Sequence, residues 1–217
     1  MNEASKTLEL IPELMTYFRG HSVLDIGAGA DKVVEHAVDF DKKDGDAENI
    51  ANLLTPESFE VVFASHCLEH MRDPYKALEQ WFSLVMRDGV LIIIVPDEDL
   101  YEQGFFPSIF NNDHKKTFTI SKRTSWSKAS INVLDLIKSL EKYEGKLEKL
   151  ELQCNNYDFS KLRFPSRAIQ KLYSSPRIFF RVLPILKKLK ICPEDQTRSS
   201  SATLAQILFI VRKAKQK

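Results

Sequence analysis

Cysteine is scarce: three among 217 residues, Cys67, Cys154 and Cys192, with no C-x-x-C spacing. That excludes a disulfide framework and a structural zinc site, and it fits a reducing, cytoplasmic setting. Long apolar runs are missing too. The longest, Val90–Pro96, is far short of the ~20 residues that cross a bilayer. The opening MNEASKTLELIPEL has no basic stretch ahead of an apolar core, so it is not read as a signal peptide. There is no internal repeat, and Ser199–Ser201 is only a short polar tract. Net charge is also nearly absent, at +1 with a pI near 7.7. On average the chain is no strongly basic nucleic-acid binder.

What is present is ordinary for a soluble globular chain: 43% hydrophobic and 28% charged residues. The length suits one domain over residues 1–217. The near-neutral average hides a split, however. Residues 1–105 hold 21 acidic and 8 basic side chains, and residues 106–217 hold 9 acidic and 23 basic ones. Such asymmetry points to two ligands of different charge or to a charged partner.

Leu8, Ile11, Leu14, Met15 and Phe18 recur at helical spacing and predict an opening amphipathic helix that ends at Gly20. Ser22–Ile26, Ala37–Phe40 and Phe59–Ala64 read as short strands. Asp73–Met86 reads as a helix, and Arg87-Asp88-Gly89 as the turn into a central strand at Val90–Val95. Asp97–Lys122 reads as a long site loop and Ser130–Tyr143 as a helix. Lys146–Gln153 and Ala205–Arg212 are two late strands flanking a basic insertion at about 157–203. Strands alternating with helices predict an α/β sheet, with the two late strands as an antiparallel hairpin at one edge.

The richest stretch is Val23-Leu24-Asp25-Ile26-Gly27-Ala28-Gly29. A glycine turn after the first strand lets backbone approach a cofactor closely. A dinucleotide loop needs a third glycine, where this chain has Lys32, and an acid such as Asp25 would repel a pyrophosphate. The same acid favours a cofactor that bears a sulfonium cation and an amino group. Asp41, after the second strand, can take both hydroxyls of a ribose. Gly45-Asp46-Ala47-Glu48-Asn49 offers another acid to the exocyclic amine of adenine. The competing reading is a solvated acidic surface; placement at strand ends argues against it.

These motifs, with Phe59–Met71 (FEVVFASHCLEHM) and Met86–Pro96 (MRDGVLIIIVP), resemble those of class I S-adenosylmethionine-dependent methyltransferases of the small-molecule type. The resemblance implies a Rossmann-like sheet and S-adenosylmethionine as cofactor. It also implies that Ser65-His66-Cys67-Leu68-Glu69-His70 floors the cofactor and substrate pocket. The cofactor contacts it implies are Asp25, Gly27, Gly29, Asp41, Asp46, Ala47, Ser65 and His66. Two departures thin one edge of the sheet. Only Ala30–Glu35 separates the glycine loop from the second strand, leaving about a turn of the usual first helix, and no third strand precedes Gly45.

Methyl transfer to an alcohol benefits from a general base, for which His70 and His114 are the candidates; a free amine needs none. His114 lies in Phe110-Asn111-Asn112-Asp113-His114-Lys115, and Asp113 is a loosely held candidate to orient it. Asp97, Tyr101, Asn111 and Lys115 are the candidate substrate contacts, with Asp97-Glu98-Asp99 an anionic rim at the end of the central strand. No tight metal-ligand cluster is evident; a site from Asp97, Asp99 and His114 is disfavoured, and none is expected.

Phe159–Pro193 has nine basic residues and no acidic one, interleaved with apolar residues. It reads as a lid with a solvated basic face, a holder for an anionic acceptor, or a peripheral membrane contact. Nucleic acid is not an expected partner, since no stacking platform or known module is present; a homodimer is a further candidate assembly. The loop Val95–Lys116 resembles those of bacterial enzymes that modify surface-polysaccharide precursors, which implies O-methylation of a sugar. The alternatives are N-methylation of a small phosphorylated amine and a non-catalytic cofactor-binding or membrane-associated protein.

Overall fold

The computed structural model describes residues 3–166, 169, 184–185, 193–200 and 202–215. Among these residues eight strands follow in chain order: β1 (Val23–Ile26), β2 (Val38–Phe40), β3 (Phe59–Ser65), β4 (Val85–Pro96), β5 (Thr117–Thr119), β6 (Ser130–Asn132), β7 (Gly145–Gln153) and β8 (Gln206–Lys213). Six of them form one sheet in the order β2-β1-β3-β4-β8-β7, while β5 and β6 pair with each other. The β2-β1, β1-β3 and β3-β4 pairs are parallel; β8 runs antiparallel to both β4 and β7. This is the expected Rossmann-like α/β sheet with its antiparallel C-terminal hairpin.

The unbroken apolar run of β4 follows from burial on both faces. Leu91, Ile93 and Val95 join the cluster holding Leu78, Trp81 and Phe82 of α3 (Pro74–Ser83) and Leu136 of α4 (Val133–Lys138). Val90, Ile92 and Ile94 join the opposite cluster with Leu14 and Phe18 of the N-terminal segment. Period-two alternation sends successive side chains to opposite faces, so a strand covered on both sides needs no polar positions.

The thinned edge is also present, and more so than expected. No helix lies between β1 and β2, where residues 27–37 make only turns and bends, and β2 is the three-residue border of the sheet. After β2 the chain enters a 3-10 helix at Ala47–Asn52 rather than a further strand.

Three predicted elements are corrected. The opening helix breaks into α1 (Glu3–Leu10), a 3-10 turn at Pro12–Leu14 and α2 (Met15–Phe18). Proline at position 12 has no N–H to donate and pushes Ile11 out of the helical region, to φ −134°. The helix read as Asp73–Met86 is Pro74–Ser83. Asp73 caps it by accepting the N–H groups of Tyr75 and Lys76, and Val85 already pairs with Phe59 in the sheet. Asp88 (φ +64°) and Gly89 form an irregularity inside β4, where a side chain on Gly89 would lie 2.5 Å from the Glu60 carbonyl. The stretch Ser130–Tyr143 begins as strand β6, and α4 starts only at Val133, capped by the Asn132 side chain. Its partner β5 and a π-helical turn at Glu98–Glu102 lie in what reads from sequence as loop. The basic stretch 159–193 lies mostly outside the described residues.

Candidate functional site

At the carboxyl ends of β1, β2 and β3 a cavity of about 620 Å³ opens. That is within the ~300–1,000 Å³ range of small-molecule sites. Gly27 sits at its base with φ +79°, and a Cβ there would lie 2.8 Å from Cys67 Sγ, so only glycine lets the two loops meet. Asp41, Asp46, Ala47 and His66 line it as expected, together with Phe40, Glu48, Met71 and Arg72. Asp46 caps the 3-10 helix, accepting from Glu48 N–H at 3.0 Å and from Asn49 Nδ2 at 2.7 Å. One Asp41 oxygen accepts Lys42 N–H at 2.7 Å, leaving the other without a hydrogen bond of its own loop.

Three expected cofactor contacts do not line this cavity. Asp25 is buried beneath the glycine turn and holds it by accepting Val33 N–H at 2.7 Å. Burial, reinforced by Asp31 and Asp39, pushes its pKa up to about 7 against that hydrogen bond. Gly29 has φ +58° and open space around it, so it shapes the turn rather than a contact. Ser65 ends β3 with its hydroxyl buried.

A second cavity of about 230 Å³ adjoins the first, and His66 and His70 line both. It brings together Tyr101, Asn111 and His114 from the long loop, Glu3 and Lys6 from α1, Glu69, and Arg198 and Gln206 from the C-terminal part. His114 is buried, and its Nδ1 lies 2.6 Å from Oε1 of the equally buried Glu102. Glu102, not Asp113, orients His114. Asp113 serves His70 instead, whose Nδ1 stands 3.1 Å from its carbonyl and 3.3 Å from its carboxylate. The His70 and His114 rings meet edge to face at 5.1 Å, and Tyr101 stacks beside His114 at 5.4 Å.

Glu69 is fully buried in the midst of these rings. His66 Nδ1, His114 Nε2 and His70 Nε2 stand 3.5, 3.8 and 3.9 Å from its Oε1. Burial opposes charge on His66, but Glu69, Glu3 and Gln206 outweigh it and lift its pKa to about 9. Burial likewise opposes charge on Glu69, yet the surrounding histidines hold its carboxyl below the usual range. His66 also adopts φ +51°, an unusual backbone for a non-glycine residue and the device that turns its ring into both cavities.

Two expected substrate contacts fall elsewhere. Lys115 lines the larger cavity and donates to the His70 carbonyl. Asp97 lines neither cavity; its carboxylate caps the Glu98–Glu102 turn by accepting the N–H groups of Asp99 and Leu100, both at 3.0 Å. Burial pushes its pKa up to about 6. Glu98 points inward to Thr117, Lys122, Ser125 and Ser130, and Asp99 to Lys122 and Trp126. The expected anionic rim is therefore the internal anchor of the loop, because a strand end buried beneath a returning loop offers its acids to backbone and hydroxyl donors. Glu69 and Glu102 are the acids that sequence reading missed at the site, and Glu48, Met71 and Arg72 are missed neighbours of the larger cavity. Glu69 lay inside a motif already singled out; nothing local distinguishes Glu102.

This sheet order is the fold of solved S-adenosylmethionine-dependent methyltransferases, and here a glycine turn opens onto an acid-bearing cavity at the strand ends. Residues 9–93 match the family described as Methyltransferase domain. Solved structures agree on the fold. A SAM-dependent methyltransferase from Archaeoglobus fulgidus superposes with a TM-score of 0.55 at 18% identity, covering 98% of this chain and 95% of that one. A putative methyltransferase from Bacillus halodurans gives 0.53 at 19% identity, covering 94% and 99%. A possible histamine N-methyltransferase from Thermotoga maritima gives 0.51 at 15% identity, covering 98% and 90%. No curated protein matches the sequence. The residues present fit the cofactor: the turn at Gly27 would be blocked by a Cβ, and Asp41, one of whose oxygens makes no hydrogen bond within its loop, lines with Asp46 and Glu48 a cavity of suitable size.

Proposed function

We propose that the protein transfers a methyl group from S-adenosylmethionine to a hydroxyl, with a sugar of a nucleotide-linked or lipid-linked surface-polysaccharide precursor as acceptor. When bound, the cofactor supplies a methyl group already activated for in-line displacement. Asp41 would hold the ribose hydroxyls, the Asp46–Ala47 turn the adenine, and Gly27 and His66 the methionine end. The acceptor belongs in the smaller cavity, against Tyr101, Asn111 and His114.

The buried His114–Glu102 pair is the observation that carries this reading. Nδ1 is held by a carboxylate, which leaves Nε2 for the acceptor, and His114 lines the smaller cavity. An imidazole oriented in this way is what removal of a hydroxyl proton requires, and such a base contributes ~10²–10⁴-fold. An amine acceptor with a free lone pair would leave it without work. Positioning by the two joined cavities supplies the remainder of the acceleration, of which ~7–11 kcal/mol is available to well-oriented reactants.

The second reading is N-methylation of a small phosphorylated amine. Lys6 and Arg198 on the smaller cavity suit a phosphate, and Glu69 and Glu3 suit an ammonium group in place of Asp97–Asp99, which lie outside both cavities. A panel of nucleotide sugars and phosphoamines, read by the mass gain of one methyl group, separates the two: a methylated sugar supports O-transfer, and methylation confined to amines overturns it. A third reading is a cofactor-binding protein without catalysis. Calorimetry with S-adenosylmethionine tests the shared premise, since a folded sample that binds none removes both enzymatic readings.

For the basic stretch 159–193 we propose contact with anionic lipid, on the interleaving of basic and apolar residues. No helix among the described residues is long and apolar enough to cross a membrane. Flotation with anionic vesicles that weakens at high salt supports peripheral attachment; no flotation at low salt overturns it.

A further inference from the structure

We infer that Glu69, His70 and His114 form a binding site for a divalent transition-metal ion. One ligand atom from each, a carboxylate oxygen and two imidazole nitrogens, lies within 4.8 Å of the others. This goes beyond the proposed transfer: the site itself does not depend on it, and only the ion's effect on the base rests on that reading.

Three observations converge. The first is the state of Glu69: the side chain is fully buried, and neither carboxylate oxygen has a hydrogen-bond partner. A buried carboxylate without a hydrogen bond is costly, and the three imidazoles around it stand 3.5–3.9 Å away and supply none. The second is spacing. His70 Nε2 and His114 Nε2 stand 3.9 and 3.8 Å from Glu69 Oε1, beyond hydrogen-bond length. Two ligands ~2.1 Å from one ion stand ~3.0–3.4 Å apart, so a small side-chain adjustment closes the set.

The third is the second layer of contacts. Metal-binding histidines hold their other ring nitrogen against a carboxylate or carbonyl, which fixes tautomer and orientation. Here the His114 Nδ1 faces the Glu102 carboxylate at 2.6 Å, and His70 Nδ1 faces the Asp113 carbonyl at 3.1 Å. His66 repeats the pattern, with Nε2 at 3.1 Å from Gln206 Oε1 and Nδ1 toward Glu69, and so can add a third imidazole. Two imidazoles and a carboxylate beside an open cavity suit Zn²⁺, Co²⁺ or Fe²⁺ more than Mg²⁺ or Ca²⁺.

The lone pair on His114 Nε2 holds either the ion or the proton of an acceptor hydroxyl. Metal-loaded and base-competent states therefore exclude each other, and the ion acts as an inhibitor of the base reaction.

Co²⁺ titration of the full chain, without cofactor or acceptor, tests the site by visible absorption and by paramagnetic shifts of histidine ring protons. We expect one Co²⁺ per chain, displaced by Zn²⁺, with shifted His70 and His114 resonances and no thiolate-to-metal band. His70→Ala and His114→Ala should each weaken binding ~100-fold or more, and Glu102→Gln, which keeps every ligand, ~10–100-fold. The inference is overturned if folded wild-type protein binds no Co²⁺, if a thiolate band appears, or if the His70 and His114 resonances stay unshifted. The wild-type readouts decide even if a variant fails to fold.

Discussion

The two joined cavities are built in opposite ways. The larger one is made by backbone: a glycine turn, a capped 3-10 helix and strand ends, all within residues 27–72 apart from Asp113 and Lys115. The smaller one is made by side chains that converge from α1, the Glu69–His70 segment, the Tyr101–His114 loop and the stretch 197–206 that leads into β8. A cofactor common to many enzymes can be held by a local and repeatable backbone form. An acceptor peculiar to one enzyme needs side chains that only the finished fold assembles. The charge split of the chain fits this division imperfectly, because Lys42 and Arg72 join the acids of the larger cavity and the basic half contributes Lys115.

The strongest way to break the contrast is to remove chemistry from the smaller cavity while leaving the larger one intact. His114→Ala should lower turnover ~10²-fold or more, with cofactor affinity by calorimetry nearly unchanged. Near-normal turnover would take the base role from His114. A parallel loss of cofactor affinity would show that the two cavities are one functional unit.

A comparable effect, on stability, comes from beneath the larger cavity. The Asp25 pKa is raised from 3.8 to about 7, chiefly by burial. The folded state therefore binds this proton more tightly than the unfolded chain does. The resulting stabilisation is complete below pH ~4 and is lost as pH rises to about 7. Asp25→Asn removes the titration but keeps an oxygen for Val33 N–H. Urea unfolding at pH 4 and pH 7.5 should show the wild type losing up to ~4 kcal/mol more than the variant between the two. Parallel losses would mean that Asp25 is not held protonated by its surroundings.

What could be read from sequence follows the same division. The strand positions, the hairpin and the missing third strand were legible because β1, β2, β3 and β4 carry short apolar runs ended by turn residues. Gly27, Asp41, Asp46 and Ala47 were legible because each sits at a fixed offset from a strand end. His66, His70, Tyr101, Asn111 and His114 all line the smaller cavity; the histidines of the SHCLEH segment were singled out by motif and the others by their place after β4. Their partners were not. Pairing of His114 with Glu102, twelve residues away, depends on the π-helical turn at Glu98–Glu102, and nothing in the sequence of that loop announces it. Asp97 and Asp25 lie outside both cavities for a shared reason: an acid at a strand end can accept backbone N–H groups as readily as it can face a cavity.

Within the larger cavity the effects should be smaller, because several contacts share the cofactor. Asp41→Ala removes one charged acceptor, worth ~1.5–3 kcal/mol when it accepts well-placed hydroxyls. Cofactor affinity should fall ~10–100-fold while thermal stability changes little, since the side chain is tied only to its own loop. An unchanged dissociation constant would move the ribose away from Asp41.

The smallest effect separates the two histidines. His70 and His114 each have a carboxylate at Nδ1, but the surroundings differ: Glu102 is 1% exposed, whereas the Asp113 side chain is 53% exposed and 3.3 Å away. In a buried site a carboxylate–imidazole contact is screened little by water, while at the surface solvent and salt weaken it. Glu102→Gln should therefore lower turnover ~10-fold or more, because the amide can present its N–H to Nδ1 and favour the tautomer with Nε2 protonated. Asp113→Asn should change turnover less than ~3-fold, and more weakly still at high salt, since the Asp113 carbonyl at 3.1 Å continues to hold the ring. If Asp113→Asn instead proves the more damaging, His70 is the base, and the exposed dyad at the junction of the cavities does the work assigned to the buried one.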